Sequence, residues 1–78
     1  MKEKQKYIVI TFYTTAEAMA TEKLCKEKNI EGKLISAPRA LSSDCGIAWR
    51  SNIESREIIK ALLDKAGVEY AGFHELVI

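Results

Sequence analysis

Two cysteines, Cys25 and Cys45, and one histidine, His74, are the side chains of this 78-residue sequence best suited to chemistry at neutral pH. Cys45 stands in the run Ser-Ser-Asp-Cys-Gly at 42–46. A thiolate there would be a nucleophile, and Gly46 would leave space for an adduct or a docking partner. The alternative is an ordinary loop cysteine with no function, but an exposed thiol that serves no function is liable to harmful oxidation. We therefore expect any function to depend on Cys45.

Cys25 and His74 favour structural roles. Cys25 lies on the apolar arc of a predicted helix, where cysteine packs as a small hydrophobe. It is about 15 Å from the helix start, too far for a disulfide to Cys45. His74 has no second histidine, Cys-x-x-Cys pair or carboxylate cluster beside it. We expect no metal, no cofactor and no enzyme that acts alone.

The composition predicts one small globular domain. Hydrophobic residues make up 47% and charged residues 29%, with a net charge of +1, which disfavours nucleic acid as a partner. No apolar run approaches the roughly 20 residues of a membrane span. Small secreted domains are usually cross-linked by several disulfides, and two cysteines are too few for that, so we expect a cytoplasmic protein with free thiols. Residues 1–6 read as a flexible leader and 7–78 as the domain.

The first half of the chain reads as strand, helix, strand. The β-branched and aromatic run Tyr7–Phe12 predicts a central strand. Thr14 and Glu17 have capping-box spacing, which predicts a helix from Thr15 to Lys28 that ends at Asn29. Its apolar arc comprises Ala18, Thr21, Leu24 and Cys25. A short edge strand at 33–36 follows, before Pro38.

The second half repeats this pattern. A strand at 46–50 precedes a second capping-box spacing, Ser51 with Glu54, and a helix whose stripe contains Ile58, Ile59, Leu62, Leu63 and Ala66. Gly67 would cap that helix, and 68–78 would form the last strand. The order βαββαβ predicts an α+β, ferredoxin-like two-layer sandwich with an antiparallel sheet in the order 4-1-3-2.

This topology places Cys45 near the end of the first strand and the start of the first helix. The helix start at Thr14 and Thr15 presents free N–H groups that favour an anion. Arg39 would add positive charge, whereas Asp44 would oppose it. Strand alternation would turn Cys45 toward the helices, like Ile47 and Trp49.

One face of the sheet has no predicted cover. Tyr7, Val9 and Thr11 alternate with Ile8, Ile10 and Phe12, so one of these sets faces away from the helices. A partly apolar face of this kind predicts a partner or a homodimer.

Three segments resemble a family of small bacterial selenium/sulfur carrier-like proteins: 7–15, Pro38-Arg39 and the run Leu-Ser-Ser-Asp-Cys-Gly-Ile-Ala at 41–48. The resemblance implies that Cys45 holds a persulfide or selenenylsulfide. Cys45 would accept the atom from a cysteine-desulfurase-type donor and pass it to an acceptor protein. Asp44, directly before the cysteine, departs from the family pattern and opposes strong thiolate activation.

Two other functions remain open. In a non-enzymatic interaction or regulatory module, the sheet or the loop would bind a partner, and replacing Cys45 with Ser would leave that binding unchanged. A metal chaperone would need two cysteines together in one loop, whereas here they lie on different elements.

Overall fold

A computed structural model describes residues 5–39, 41 and 46–77 of the chain. The elements, in order, are β1 (Lys6–Thr11), α1 (Thr15–Glu27), β2 (Gly32–Ser36), β3 (Ile47–Asn52), a 3₁₀ turn (Ile53–Ser55), α2 (Arg56–Ala66) and β4 (Gly72–Val77). The βαββαβ order is the one predicted.

The four strands form one antiparallel sheet in the order β2-β3-β1-β4. This is the predicted order read from the opposite edge. Thr11 pairs with Ala48 on β3 and with Gly72 on β4, so β1 is bonded along both sides. The most apolar strand therefore lies inside the sheet, and the strands of Lys33 and Glu75 lie at its edges.

The core lies between one face of the sheet and the two helices. Ile8, Ile10, Phe12 and Trp49 are fully or almost fully buried there against residues of both helices. On α1 these are Ala18 and Cys25, and on α2 they are Ile59 and Leu63. The predicted apolar arc of α1 is confirmed, since Thr21 is also buried and Leu24 packs at the margin.

Both ends of α1 follow the prediction. The Thr14 hydroxyl accepts from the Glu17 amide at 3.3 Å, and the Glu17 carboxylate accepts from the Thr14 amide at 3.2 Å. This reciprocal pair is the capping box. At the other end Asn29 has a φ of 58°, the left-handed conformation that asparagine tolerates.

The second predicted capping box is wrong. β3 continues through Ser51 and Asn52, and α2 starts only at Arg56, after the 3₁₀ turn. Ser51 is buried, and its hydroxyl donates to the Glu31 carbonyl oxygen instead of accepting from a helix amide. The Ser51 hydroxyl is therefore used in a hydrogen bond to the neighbouring chain segment and is not available to cap a helix.

The predicted stripe of α2 is correct only in part. Ile59 and Leu63 are buried, whereas Ile58 is 61% exposed and Ala66 is also exposed. The helix ends as predicted at Gly67, whose φ of 73° is left-handed and allows the Val68 amide to bond the Leu63 carbonyl at 3.0 Å.

β2 ends at Ser36 as predicted, and the other strand ends differ from the predicted limits by one to four residues. β1 starts at Lys6, which pairs with Val77 and whose Nζ lies 3.3 Å from a Glu75 carboxylate oxygen. β4 starts at Gly72, not at Val68, because the chain first leaves the left-handed Gly67 and crosses to the sheet.

The face of the sheet away from the helices is less open than predicted. Val9 and Thr11 point to that face, but they are 0% and 1% exposed. Val9 is paired with Arg50 on one side and His74 on the other. The Arg50 guanidinium lies 4.4 Å from the centre of the Tyr7 ring. Val9 therefore does not contribute to the exposed apolar surface from which a partner or a homodimer was predicted.

Candidate functional site

The predicted thiol, Cys45, lies outside the described residues, as do Ala40, Ser42, Ser43 and Asp44. The flanks of this segment are described. The Ala37 amide donates to the Gly46 carbonyl at 3.0 Å, one step beyond the last pair of the β2–β3 ladder. The Leu41 amide donates to the Pro38 carbonyl at 2.9 Å, which makes a tight turn around Arg39. The segment that carries Cys45 is thus anchored at its base.

Gly46 is exposed and left-handed, with a φ of 73°. No described atom outside its chain neighbours lies within 4 Å of the position that a β-carbon would take. Among the described residues, Gly46 is therefore open on the side where a side chain would project. Strand alternation does not extend through a left-handed residue, so the register of β3 does not fix the orientation of Cys45, which stays a prediction.

The sheet register brings Gly46 to the same end of the molecule as the start of α1. Ala48 pairs with Thr11, the last residue of β1, so Gly46 lies two residues past that pair, at the edge where β1 turns into α1. Thr14 and Thr15 open α1 at this end and are exposed. Arg39 follows the end of β2 that pairs with the start of β3, so Thr14, Thr15, Arg39 and Gly46 all lie toward the same end of the sheet.

The start of α1 already holds a carboxylate. Glu17 Oε1 accepts from the amides of Tyr13 at 3.0 Å and Thr14 at 3.2 Å. These two amides are no longer available to another anion. The next two, of Thr15 and Ala16, have no acceptor among the described residues, as is normal for the first turn of a helix. Any thiolate nearby would thus meet two donors together with the negative charge of Glu17.

Glu17 also brings a negative charge to the start of α1. Its spacing from Thr14 predicts the helix cap but does not reveal the effect of its charge on a nearby anion. Arg39 is exposed and, within 5–39, 41 and 46–77, has no carboxylate within ion-pair distance.

Cys25 has the buried, structural role that was predicted. It is a free cysteine, 0% exposed, in the core beneath α1. Burial raises the pKa of the Cys25 thiol to about 11, since a thiolate would lose its hydration there. Cys25 is therefore a poor nucleophile in the folded protein.

His74 lies on β4, paired with Val9, and its Nε2 is 3.5 Å from the Thr11 hydroxyl. Among the described residues, no three or more His, Cys, Asp or Glu side chains are grouped to hold a metal ion. No described helix has the length and apolar character needed to cross a bilayer.

Comparison with known proteins agrees with the resemblance seen in the sequence. A family model described as "Putative Se/S carrier protein-like" matches residues 6–75, which is nearly the whole chain. No curated protein and no solved structure matches. Because the match spans β1 to β4 and includes the segment of Cys45, the chain belongs to this family of selenium/sulfur carrier-like proteins.

Proposed function

We propose that the protein is a cytoplasmic sulfur or selenium carrier, a ferredoxin-like domain in which Cys45 holds the transferred atom as a persulfide or selenenylsulfide. The observation that carries the proposal is the family match over residues 6–75. The chain has two cysteines, and Cys25 is buried in the core. This leaves Cys45 as the thiol available for transfer.

The transfer step needs no cofactor or external oxidant. The Cys45 thiolate attacks the outer sulfur of a persulfide on a cysteine-desulfurase-type donor. A new S–S bond forms at Cys45 while the donor's S–S bond breaks, and the donor cysteine leaves as a thiolate with the electron pair. A nucleophile on the acceptor protein then attacks the outer sulfur of Cys45, and Cys45 returns to a thiolate.

The surroundings support such a step in two ways. Arg39 and the free amides of Thr15 and Ala16 would stabilise negative charge on sulfur, while Glu17 would limit that effect. Outside its chain neighbours, no described atom lies within 4 Å of the β-carbon position at Gly46, which would favour the approach of a donor cysteine to the residue beside it. Thr14 would act indirectly, by holding the first turn of α1 in place.

Loading by a desulfurase tests the proposal. The protein is incubated with a cysteine desulfurase and L-cysteine, and peptides are analysed by mass spectrometry under non-reducing conditions. We expect one additional sulfur atom on the peptide of Cys45, and its loss on reduction. The Cys25→Ala variant should load equally, whereas Cys45→Ser should not load. An adduct that is absent from Cys45, or equal in both variants, would contradict the proposal.

A further inference from the structure

An apolar groove lies at the other end of the molecule, between the end of α1 and one side of α2. Its volume is about 730 Å³. One wall is the turn from Lys28 to Glu31, which includes Ile30, and the other is the α2 stripe of Ile58, Ala61, Leu62 and Lys65. Asn52, the last residue of β3, also lines it, so the groove and Gly46 lie at opposite ends of that strand. We name it the α1–α2 groove.

The α2 wall presents apolar side chains to solvent at helical spacing. Ile58 is 61% exposed, although the adjacent Ile59 is fully buried. Residues 58, 61, 62 and 65 follow the i, i+3, i+4, i+7 pattern of one helix face. At 1.5 Å per residue this stripe is about 10 Å long, the length of two helical turns.

The charges around the groove favour an acidic occupant. Three charged residues line it: Lys28, Lys65 and Glu31. Glu31 already accepts a hydrogen bond from the Asn52 side-chain amide at 3.2 Å. Neither lysine has a carboxylate within 4 Å among the described residues. The groove therefore has two unpaired cations beside an aliphatic stripe.

We propose that the α1–α2 groove binds an amphipathic helix of a partner protein, about two turns long, with aliphatic side chains facing Ile58 and Leu62 and acidic side chains facing Lys28 and Lys65. Helices bind to grooves in this way through residues at i, i+3, i+4 and i+7. A second copy of this chain is a poorer match, because two grooves of net positive charge would face each other. The inference does not depend on chemistry at Cys45, since the groove lies at the opposite end of β3.

A designed probe tests the inference. The probe is a capped, fluorescein-labelled helical peptide of about 14 residues, with leucines at i, i+3, i+4 and i+7 flanked by glutamates. A second peptide has lysine in place of each glutamate. Binding to the full chain is measured by fluorescence anisotropy, and self-association of the chain by sedimentation at the same concentrations.

We expect the acidic peptide to bind and the basic peptide to bind at least about tenfold more weakly. Ile58→Ser should weaken binding of the acidic peptide by about tenfold or more. The double variant Lys28→Glu/Lys65→Glu should reverse the preference between the peptides. Met19→Ser is the matched control, because Met19 is 58% exposed on α1 but does not line the groove.

Three results would overturn the inference. The first is no binding of the acidic peptide, and the second is equal binding of both peptides. The third is a dimer of the free protein that Ile58→Ser dissociates, which would show that a second copy occupies the groove. Because Ile58 and both lysines are exposed, far-UV circular dichroism should show native folding of every variant.

Discussion

The amide of Ala37 donates to the carbonyl oxygen of Gly46 at 3.0 Å, and this bond closes the base of the segment from 38 to 45. It extends the β2–β3 ladder by one step, to the residue that follows Cys45 in the chain. Cys45, the proposed carrier residue, therefore directly precedes a residue whose backbone is hydrogen-bonded to the sheet. The opening of α1 is fixed at the same end by the capping box of Thr14 and Glu17.

Removing the charge of Glu17 should make Cys45 more reactive. Glu17→Gln keeps an oxygen that can accept from the amides of Tyr13 and Thr14, but it removes the carboxylate charge at the helix start. Charges at this position are worth about 0.3–1 kcal/mol, so we expect the midpoint of Cys45 alkylation to fall by about 0.2 to 0.7 pH units.

The control for this change is Glu22→Gln, on the same helix beyond its first turn, where the helix dipole has little effect. Its alkylation midpoint should match that of the parent protein. An unchanged midpoint in Glu17→Gln would show that the start of α1 does not act on Cys45.

A methyl group at residue 32 should disturb the only tryptophan. A β-carbon on Gly32 would lie 2.5 Å from Trp49 Cζ2 and 2.6 Å from the Arg50 carbonyl oxygen. We expect Gly32→Ala to lower the free energy of unfolding by about 1–3 kcal/mol and to shift Trp49 fluorescence in the folded protein.

Gly67→Ala is the comparison for Gly32→Ala. It places a side chain at a φ of 73° with no described atom within 4 Å, so backbone strain of about 1–2 kcal/mol is its whole cost. The fluorescence of Trp49 should not change in this variant. A spectral shift in both variants, or in neither, would contradict the predicted contact between residue 32 and the indole ring.

Burial of Cys25 should make stability depend on pH in the alkaline range. The folded protein keeps the thiol proton up to a pKa of about 11, whereas the unfolded chain loses it near the ordinary value of 9.0. Between these values the unfolded state binds fewer protons, so the free energy of unfolding falls as the pH rises, by about 2 kcal/mol in all. Urea denaturation from pH 8 to 11 measures this loss.

Cys25→Ala should remove that part of the alkaline loss, whatever its effect on stability at neutral pH. Other groups titrate in the same range, so the difference between the two proteins is the informative quantity. Parallel curves for the parent and Cys25→Ala would show that the buried thiol is not the cause.

A capping-box spacing predicted a helix start correctly only where the preceding strand had already ended. Thr14 and Glu17 cap α1 as their spacing indicated, since β1 has already ended before them. Ser51 and Glu54 have the same spacing but form no cap, because β3 extends to Asn52 and buries Ser51 against Glu31. Only the pairing register, which depends on distant strands, distinguishes the two cases.

Surface features were less predictable. The α2 pattern placed Ile58 with Ile59 on one stripe, but successive residues are about 100° apart on a helix, and only Ile59 reaches the core. The capping-box spacing of Thr14 and Glu17 indicates where the helix starts, but it does not indicate how the Glu17 charge affects an anion near that start. Topology placed Arg39, Gly46 and the α1 start at one end of the sheet, and the strand order is the predicted one. Their action on Cys45 stays a prediction.

The pH dependence of alkylation at both cysteines of one molecule shows directly whether Cys45 is the reactive thiol. Native protein is treated briefly with iodoacetamide from pH 5 to 10, and the two cysteine peptides are quantified by mass spectrometry. We predict that Cys45 reacts with a midpoint well below the roughly 8.5 of a free thiol, while Cys25 stays protected until the protein unfolds. A Cys45 as protected as Cys25, or one with a midpoint at or above 8.5, would contradict the account.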